Sequence, residues 1–481
     1  MTLWRANSLT TKAMLLLAAG AVASFHLAYA GPKWCWLILV FMGCLLPLAR
    51  ADSGRKAFYF GLVVGLLIYA PQLLFFWKLF QFGAIALWCV LAFWLALFVV
   101  LARGCLLRFG GLGFALAIPF LWTGLEYFRS ELYYLKFTWL NIGYAFSFSH
   151  DLPVLAEFGV YGIGFCAVAV VINLYLKPTK MRGLGYWAFK FSALLAVLVI
   201  ALLINLFYPA PATGAKKLRV AGVQMEFPNP AEVVLTLDQV TQKFPQADLL
   251  VLSEFTFDGP IPDLVKKWCR AHRKYLIAGG KDPAPGNQFY NTAYVVDTNG
   301  TVVFQQVKSV PVQFMKDGLP AKEQKLWDSP WGKIGLGLCY DASYRRVTDE
   351  LIRQGAQALI FPTMDTEEWG EHEHKLHSRI APMRAAEFGV PIVRICSSGI
   401  SQLIAYGGTV VASAPYPGQR WMVSAELTLP AKGHLPLDRL LAPICVLVTA
   451  LLFIMTAIGG FKPGKPVNSG SPRLNVPLRR M

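Results

Sequence analysis

Apolar residues run almost unbroken through seven stretches, at about 13–30, 34–49, 57–77, 83–102, 111–127, 153–176 and 188–208, and through an eighth at about 439–460. Most reach the ~20 residues that a helix needs to cross a hydrocarbon core. The second and fifth are short or interrupted, by Pro47 and Pro119. Between the seventh and the eighth the pattern changes. Residues 209–437 open on a linker-like Pro-Ala-Pro-Ala-Thr-Gly and then alternate strand-like runs with helical ones. The strand-like runs are Leu218–Val223, Asp248–Ser253, Tyr275–Ala278, Ala293–Asp297, Val302–Gln306, Lys333–Leu338, Ala358–Phe361 and Val390–Ile395. Helical patterning lies at about 231–243, 260–273, 345–354 and 371–388. This alternation predicts an α/β domain with strands packed between helices. The expected organisation is a polytopic α-helical membrane domain over 1–208, an α/β domain over 209–437, a membrane helix over 438–461 and a disordered basic tail over 462–481.

Charge refines this picture. The chain of 481 residues is 55% hydrophobic and carries a formal charge of +17. The polar stretch 211–437 holds 24 Lys+Arg against 22 Asp+Glu, so nearly all the excess belongs to the membrane part. Nucleic-acid binding is therefore not expected. Basic loops alternate with poorer ones. Arg5 and Lys12, then Arg50, Arg55 and Lys56, then Arg103 and Arg108, then Lys177, Lys180, Arg182 and Lys190 mark one face, as does the C-terminal tail. The positive-inside rule places these loops and both termini in the cytoplasm, and the polar domain on the opposite face. The first apolar run, followed by Ala28-Tyr29-Ala30, shares features with a signal peptide. Either reading leaves the polar domain on the same side.

Three residues at strand ends carry candidate chemistry. Glu254 closes Asp248–Ser253, Lys308 closes Val302–Gln306 after the turn Asp297-Thr-Asn-Gly300, and Cys339 ends Lys333-Ile-Gly-Leu-Gly-Leu338 before a turn into a helix near Arg345. Taken singly, a capping acid, a surface lysine and a buried thiol are the plainer readings. Together they suit covalent acyl chemistry. A thiol with a pKa of ~8.5 is mostly protonated at neutral pH. A carboxylate takes its proton as the carbonyl is attacked, and an ammonium supports first the thiolate and then the oxyanion. The Tyr340 backbone N–H is a second candidate oxyanion donor.

Glu254, Lys308 and Cys339, in this order, resemble the Glu-Lys-Cys triad of the nitrilase superfamily. Phe289-Tyr-Asn-Thr-Ala293, Trp331-Gly-Lys-Ile-Gly335 and Arg384-Ala-Ala-Glu387-Phe-Gly-Val-Pro391 fit the same pattern. A domain of this kind set after seven spans and before one resembles the apolipoprotein N-acyltransferase family. Trp139-Leu-Asn-Ile-Gly-Tyr-Ala145, Gly159-Val-Tyr-Gly-Ile-Gly164 and Val220-Ala-Gly-Val-Gln224 echo it too. The resemblance implies an αββα sandwich on the periplasmic face of the bacterial inner membrane, no cofactor and no metal. It implies Glu254 as general base, Lys308 as thiolate and oxyanion partner and Cys339 as nucleophile. The implied reaction is ping-pong, with a phospholipid acyl donor, a Cys thioester and the diacylglyceryl-cysteine amine of an apolipoprotein as acceptor, carried out by a monomer. The pattern departs from the family at several places. Ser253 precedes the acid where Pro is usual, and Gln313-Phe-Met-Lys316 stands where the family has an acid after the lysine. Asp317 and Glu323 are the candidates to replace it. Tyr340-Asp341 replaces Tyr-Glu, and Ser397-Ser-Gly399 replaces Asn-Thr-Gly. A membrane-anchored amidase, with water resolving the thioester, is the alternative.

Other groups compete less well. Glu371-His-Glu-His-Lys-Leu-His377 lacks the HExxH spacing of a zinc site and reads as a polar helix start near the site's mouth. Trp369 is a candidate to touch an acyl chain, though ordinary packing accounts for it as well. Cys269 and Cys396 lack an acid and a lysine in matching strand context. Glu157 is expected near a membrane interface.

Overall fold

The computed structural model describes residues 8–148, 154–175, 215–418 and 420–458. The expected span at 188–208, the linker at 209–214 and the tail at 462–481 lie outside these residues.

The first half is helical: α1 (Thr11–Ala30), α2 (Leu37–Leu45), α3 (Gly54–Gln72), α4 (Phe76–Phe80), α5 (Phe82–Tyr127) and α6 (Val154–Tyr175). Among the described residues, four helical stretches are long and apolar enough to cross a membrane: Thr11–Ala30, Phe82–Leu132, Glu157–Tyr175 and Asp438–Ile458. The second of these is folded in two. At Gly110 the backbone leaves the helix (φ 64°, ψ −163°). A straight helix would hold Phe98 and Trp122 about 36 Å apart at ~1.5 Å per residue. Their ring centroids lie 4.9 Å apart, and Trp94 meets Phe128 at 5.6 Å. The stretches at 83–102 and 111–127 are thus two arms of one hairpin.

The stretch expected at 57–77 as one helix is instead divided into α3 and α4. Pro71 has no N–H to give the Leu67 carbonyl one turn earlier. His26 Nε2 lies 3.0 Å from that oxygen and fills the gap from α1. The helix ends at Gln72. Close approach of α3 to α5 rests on small residues: a Cβ on Gly65 would lie 2.6 Å from Ala92 Cα.

The polar domain is a sandwich of two six-stranded sheets. The first contains β1 (Lys216–Val223), β2 (Leu249–Val251), β3 (Tyr275–Ala284), β4 (Gln288–Val296), β5 (Val302–Val307) and the late β12 (Met422–Leu429). The second contains β6 (Leu326–Ser329), β7 (Gly332–Leu336), β8 (Ala358–Thr363), β9 (Ile392–Cys396), β10 (Gln402–Ile404) and β11 (Val410–Ser413). Their orders are β12-β1-β2-β3-β4-β5 and β11-β10-β9-β8-β7-β6. Each has three parallel strands at its centre, β1-β2-β3 and β7-β8-β9, with antiparallel partners outside.

Side-chain alternation builds the layers. Leu218, Val220, Leu249 and Val251 face Ile334, Leu336, Ile360 and Ile395 across the two sheets. Ala221, Val223 and Leu250 point outward, under α7 (Pro230–Lys243) and α8 (Asp263–His272). The outer face of the second sheet carries α9 (Arg345–Arg353), α10 (Glu371–His377) and α11 (Ile380–Phe388). Its core, with Leu359, Phe361, Ile380 and Met383, is continuous with that of the membrane helices. A single helix over 371–388 is not what forms: Ser378 and Arg379 break it. Pro382 leaves the Ser378 carbonyl without its helical donor, and Ser378 Oγ donates to Lys375 O at 3.0 Å. The chain closes on α12 (Asp438–Ile458), which packs against the α5 hairpin at Gly124.

Candidate active site

Strand ends deliver the three candidates to one place. Glu254 follows β2, Lys308 follows β5 and Cys339 follows β7, and all three are buried. Lys308 Nζ donates to Glu254 Oε1 at 2.8 Å. Its second partner is Asp317 Oδ2, at 2.7 Å. Asn291 Nδ2 ties the two acids together, reaching Glu254 Oε1 at 2.6 Å and Asp317 Oδ1 at 2.9 Å. The Met364 N–H donates to Glu254 Oε2 at 2.9 Å, and Cys339 Sγ lies 3.6 Å from Met364 O. The residue after β8 therefore contacts acid and thiol alike.

The acid left open between Asp317 and Glu323 resolves to Asp317. The loop after Lys308 turns back at Phe314 (φ 64°) and Gly318 (φ 89°), and Val312 N–H closes it by donating to Asp317 Oδ2 at 2.7 Å. Glu323 instead pairs with Lys325 at the surface, at 2.5 Å.

Cys339 stands in the left-handed region, φ 46°, at the start of the 3₁₀ turn Cys339–Ser343. Such a conformation costs a non-glycine residue free energy and is held only by its surroundings. Asp341 supplies much of the holding. Its carboxylate accepts N–H groups from Leu338 at 3.1 Å, Ser309 at 3.1 Å and Val310 at 2.7 Å, which fastens the lysine loop to the cysteine loop. Arg384 donates to Ala342 O at 3.1 Å, to Ser343 O at 3.0 Å and to Glu387 at 2.6 Å. Glu387 Oε1 in turn accepts Val160 N–H at 2.7 Å, where Gly159 breaks α6. The Arg384–Glu387 motif thus joins the cysteine turn to the membrane bundle. The Tyr340 N–H falls in the first turn, where helical N–H groups lack an internal acceptor.

Electrostatics follow from burial. Burial pushes the Glu254 carboxyl up to about 7, against the pull of Lys308. Burial disfavours the Lys308 ammonium, but Asp317 and Glu254 outweigh it and hold its pKa well above the usual value. Burial, then Glu254, pushes the Cys339 thiol well up, with Lys308 opposing. The resting sulfur is a thiol beside an acid poised near neutrality.

Two cavities meet at the sulfur. One, of about 410 Å³, is apolar and runs between α4, α5 and the domain past Phe76, Leu87, Phe137 and Trp139 to Cys339. The other, of about 470 Å³, is lined by Glu254, Lys308, Lys281, Lys316 and Asp258. Trp369 lines both, and Tyr340 lines the first. Cys269 and Cys396 line neither; Cys396 Sγ lies 3.4 Å from Ile400 O.

The His-rich helix is exposed on one face, where Glu371 pairs with Lys375, and buried on the other. Glu373, His374 and His377 are buried around Asp365. His377 Nδ1 lies 2.8 Å from Asp365 Oδ1, and Arg394 Nη2 lies 2.5 Å from Asp365 Oδ2. Candidate ligand atoms of Cys339, Asp365 and His377 fall within 4.8 Å of one another, as do those of Asp365, Glu373 and His374. The Asp365 carboxylate pairs with the Arg394 guanidinium and lies 3.8 Å from His374 Nδ1. Sequence reasoning missed Asn291, Asp365 and Arg394 as members of the site; only the first lies in a segment the resemblance had marked.

The chain is similar to known proteins over most of its length. Residues 221–419 match the carbon-nitrogen hydrolase family, and residues 19–173 match the apolipoprotein N-acyltransferase N-terminal domain. The chain belongs to the apolipoprotein N-acyltransferase family of the nitrilase superfamily. It is 25% identical over 433 residues to the apolipoprotein N-acyltransferase of Geobacter metallireducens, covering 78% of this chain and 82% of that one. The Rickettsia prowazekii apolipoprotein N-acyltransferase is likewise 25% identical, over 78% of this chain and 81% of its own. The deaminated glutathione amidase of Dictyostelium discoideum is 28% identical but over only 33% of this chain and 62% of its own. Among solved structures, Saccharomyces cerevisiae Nit3 of the nitrilase superfamily covers 46% of this chain and 93% of its own, with 20% identity and a TM-score of 0.39. The family assignment and the apolar helices make this an integral membrane acyltransferase.

Proposed function

We propose that this enzyme moves a fatty acyl chain from a membrane phospholipid to the N-terminal amine of diacylglyceryl-cysteine on apolipoproteins, through a thioester on Cys339. Glu254 takes the thiol proton as sulfur attacks the ester carbonyl, then returns it to the lysophospholipid leaving group. Lys308 and the Tyr340 N–H stabilise the oxyanion. The amine then attacks the thioester. The observation that carries this reading is the apolar cavity between membrane helices that ends at the sulfur. Keeping an acyl chain in such a cavity avoids exposing methylenes at ~0.8 kcal/mol each. A soluble amide has no use for it, which weighs against the amidase alternative. Trp369 lines both cavities, which supports a contact with the chain near its carbonyl.

The test is incubation of the purified protein with a phospholipid carrying labelled chains. Intact mass should rise by one acyl group, and a diacylglyceryl-cysteine lipopeptide should remove it. Hydrolysis of small amides with no acyl adduct from lipid would reverse the assignment. The pH dependence is set by Glu254, which accepts a proton only when ionised. With its pKa raised to about 7, acylation should fall as pH drops through that value, roughly tenfold per unit below pH 6, and level off above pH 8.

The alternation of basic loops supports both termini in the cytoplasm of a bacterial inner membrane and the catalytic domain, residues 209–437, on the periplasmic face. Alkaline phosphatase fused after residue 437 should be active, and fused after residue 461 inactive; the reverse result would invert the topology.

A further inference from the structure

The Asp365–His377 pair has no part in a mechanism that uses only Glu254, Lys308 and Cys339. Yet ligand atoms of both residues lie within 4.8 Å of the sulfur. Glu254 and Lys308 line only the polar cavity, whereas His377 and Glu373 line only the apolar one. Cys339 stands between them.

The imidazole is fixed in a definite state. Asp365 can only accept at its ionised oxygens, so His377 Nδ1 carries the proton of the 2.8 Å bond. The other nitrogen, Nε2, keeps its lone pair. Trp139 stacks on the ring at 4.7 Å and 13°, and its own Nε1 donates to Ser343 Oγ at 3.1 Å, which locks the ring plane to the cysteine turn. Among the described residues its titratable and charged neighbours are Asp365 after β8, Arg394 on β9, Glu373 and His374 on its own helix, and the thiol after β7. Burial opposes the charge of Asp365, but His377 and Arg394 keep it well below the usual carboxylate range. Burial lowers the His377 pKa despite Asp365, so the ring is neutral and basic at rest. His374 takes the cationic role instead: burial opposes its charge, but Asp365 and Glu373 raise its pKa to about 9.

On the reading of function given above, each half-reaction moves a proton at the sulfur, and the two cavities that meet there each carry a base, Glu254 in one and His377 in the other. Both substrates carry acyl chains and approach from the apolar side, so an amine that attacks the thioester from that side has the His377 imidazole in the cavity wall beside it. We propose that His377 is a second catalytic base, positioned by Asp365, that serves the aminolysis half-reaction. The neutral amine forms its C–N bond to the thioester carbonyl, and His377 Nε2 takes one N–H proton from the resulting ammonium. The C–S bond then breaks with its electron pair on sulfur. The imidazolium returns the proton to the thiolate, so thioester and amine become amide and thiol with nothing left over.

Single-turnover measurements on the full-length protein separate this role from a structural one. In His377→Gln, acylation of Cys339 by labelled phospholipid should stay within about threefold of the parent, while discharge to the lipopeptide amine should slow by roughly 10²-fold or more. Hydroxylamine, whose adduct is acidic enough to lose its proton to water, should discharge the variant thioester within about threefold of the parental rate. Equal slowing of both half-reactions would make His377 a structural support and overturn the proposal, as would unchanged discharge to the lipopeptide. His377→Phe, which keeps a ring against Trp139, is read in the same way. Absence of acylation in both variants counts against the proposal. If the parent itself gains no acyl group from phospholipid, the underlying function falls first; a normal parent with an indifferent variant removes only the second base.

Discussion

Cys339→Ala is expected to lower acyl transfer from phospholipid on the order of 10⁴-fold or more while leaving the protein folded. The sulfur is the atom at which both cavities converge, so without it no covalent intermediate can form. The fold should not notice, because the side chain's one polar contact is the long 3.6 Å approach to Met364 O. The strained backbone is held by Asp341 and Arg384, whose bonds are to main-chain groups on either side. Alanine tolerates the φ of 46° about as well as cysteine does. Cys339→Ser should behave much the same. A hydroxyl is far less acidic than a thiol, and a carboxylate poised near 7 cannot take its proton readily, so serine should be nearly as inactive as alanine. The measurements are intact mass after lipid exposure, thermal unfolding in detergent and lipopeptide acylation. Transfer that persisted in the alanine variant would mean direct attack of the amine on the phospholipid, and the ping-pong scheme would be lost.

The parts of this site legible in sequence are those a strand end announces. Glu254, Lys308 and Cys339 each close an apolar run, and a buried strand that ends in a polar residue exposes it at the sheet's edge. What carried no local signal was the closure of those loops on one another. Asp317 and Glu323 were equivalent candidates by spacing; the choice is made by a turn through Phe314 and Gly318, whose left-handed backbone depends on the assembled loop. Asp365 follows β8 and Arg394 lies on β9, so their meeting with His377 requires the parallel pairing of those strands. A polar helix start was the natural reading of Glu371–His377, since nothing in seven residues says that a distant carboxylate will bury three of them. The membrane half shows the same division. Apolar length marked the stretches at 83–102 and 111–127, but only the contact of Phe98 with Trp122 makes them a hairpin. Four strands were missed: β6, β10 and β11 have only three or four residues each, and the eight-residue β12 is interrupted by Ser424, Glu426 and Thr428 and enters its sheet by pairing with β1, about 200 residues earlier.

Lys308→Met should cost both activity and stability, and a second substitution should separate the two. The ammonium lies 2.8 Å from Glu254 and 2.7 Å from Asp317, and all three side chains are almost fully buried. Removing it leaves two carboxylates facing each other through Asn291 alone, without a counter-ion. Breaking a buried pair in this way typically costs ~3–5 kcal/mol. Glu254 would respond by binding a proton more tightly still, so the base is lost as well as the oxyanion partner. Loss of one oxyanion donor by itself costs roughly 3–4 kcal/mol of barrier, or 10²–10³ in rate. Lys308→Met with Asp317→Asn removes one cation and one anion together. The amide oxygen introduced by the second substitution can still accept from Val312 N–H, and the site's net charge returns to that of the parent. The double variant should therefore regain most of the thermal stability and none of the acylation. Recovery of acylation along with stability would show that Lys308 acts only by neutralising Asp317, and the oxyanion would then have to rest on backbone donors such as the Tyr340 N–H.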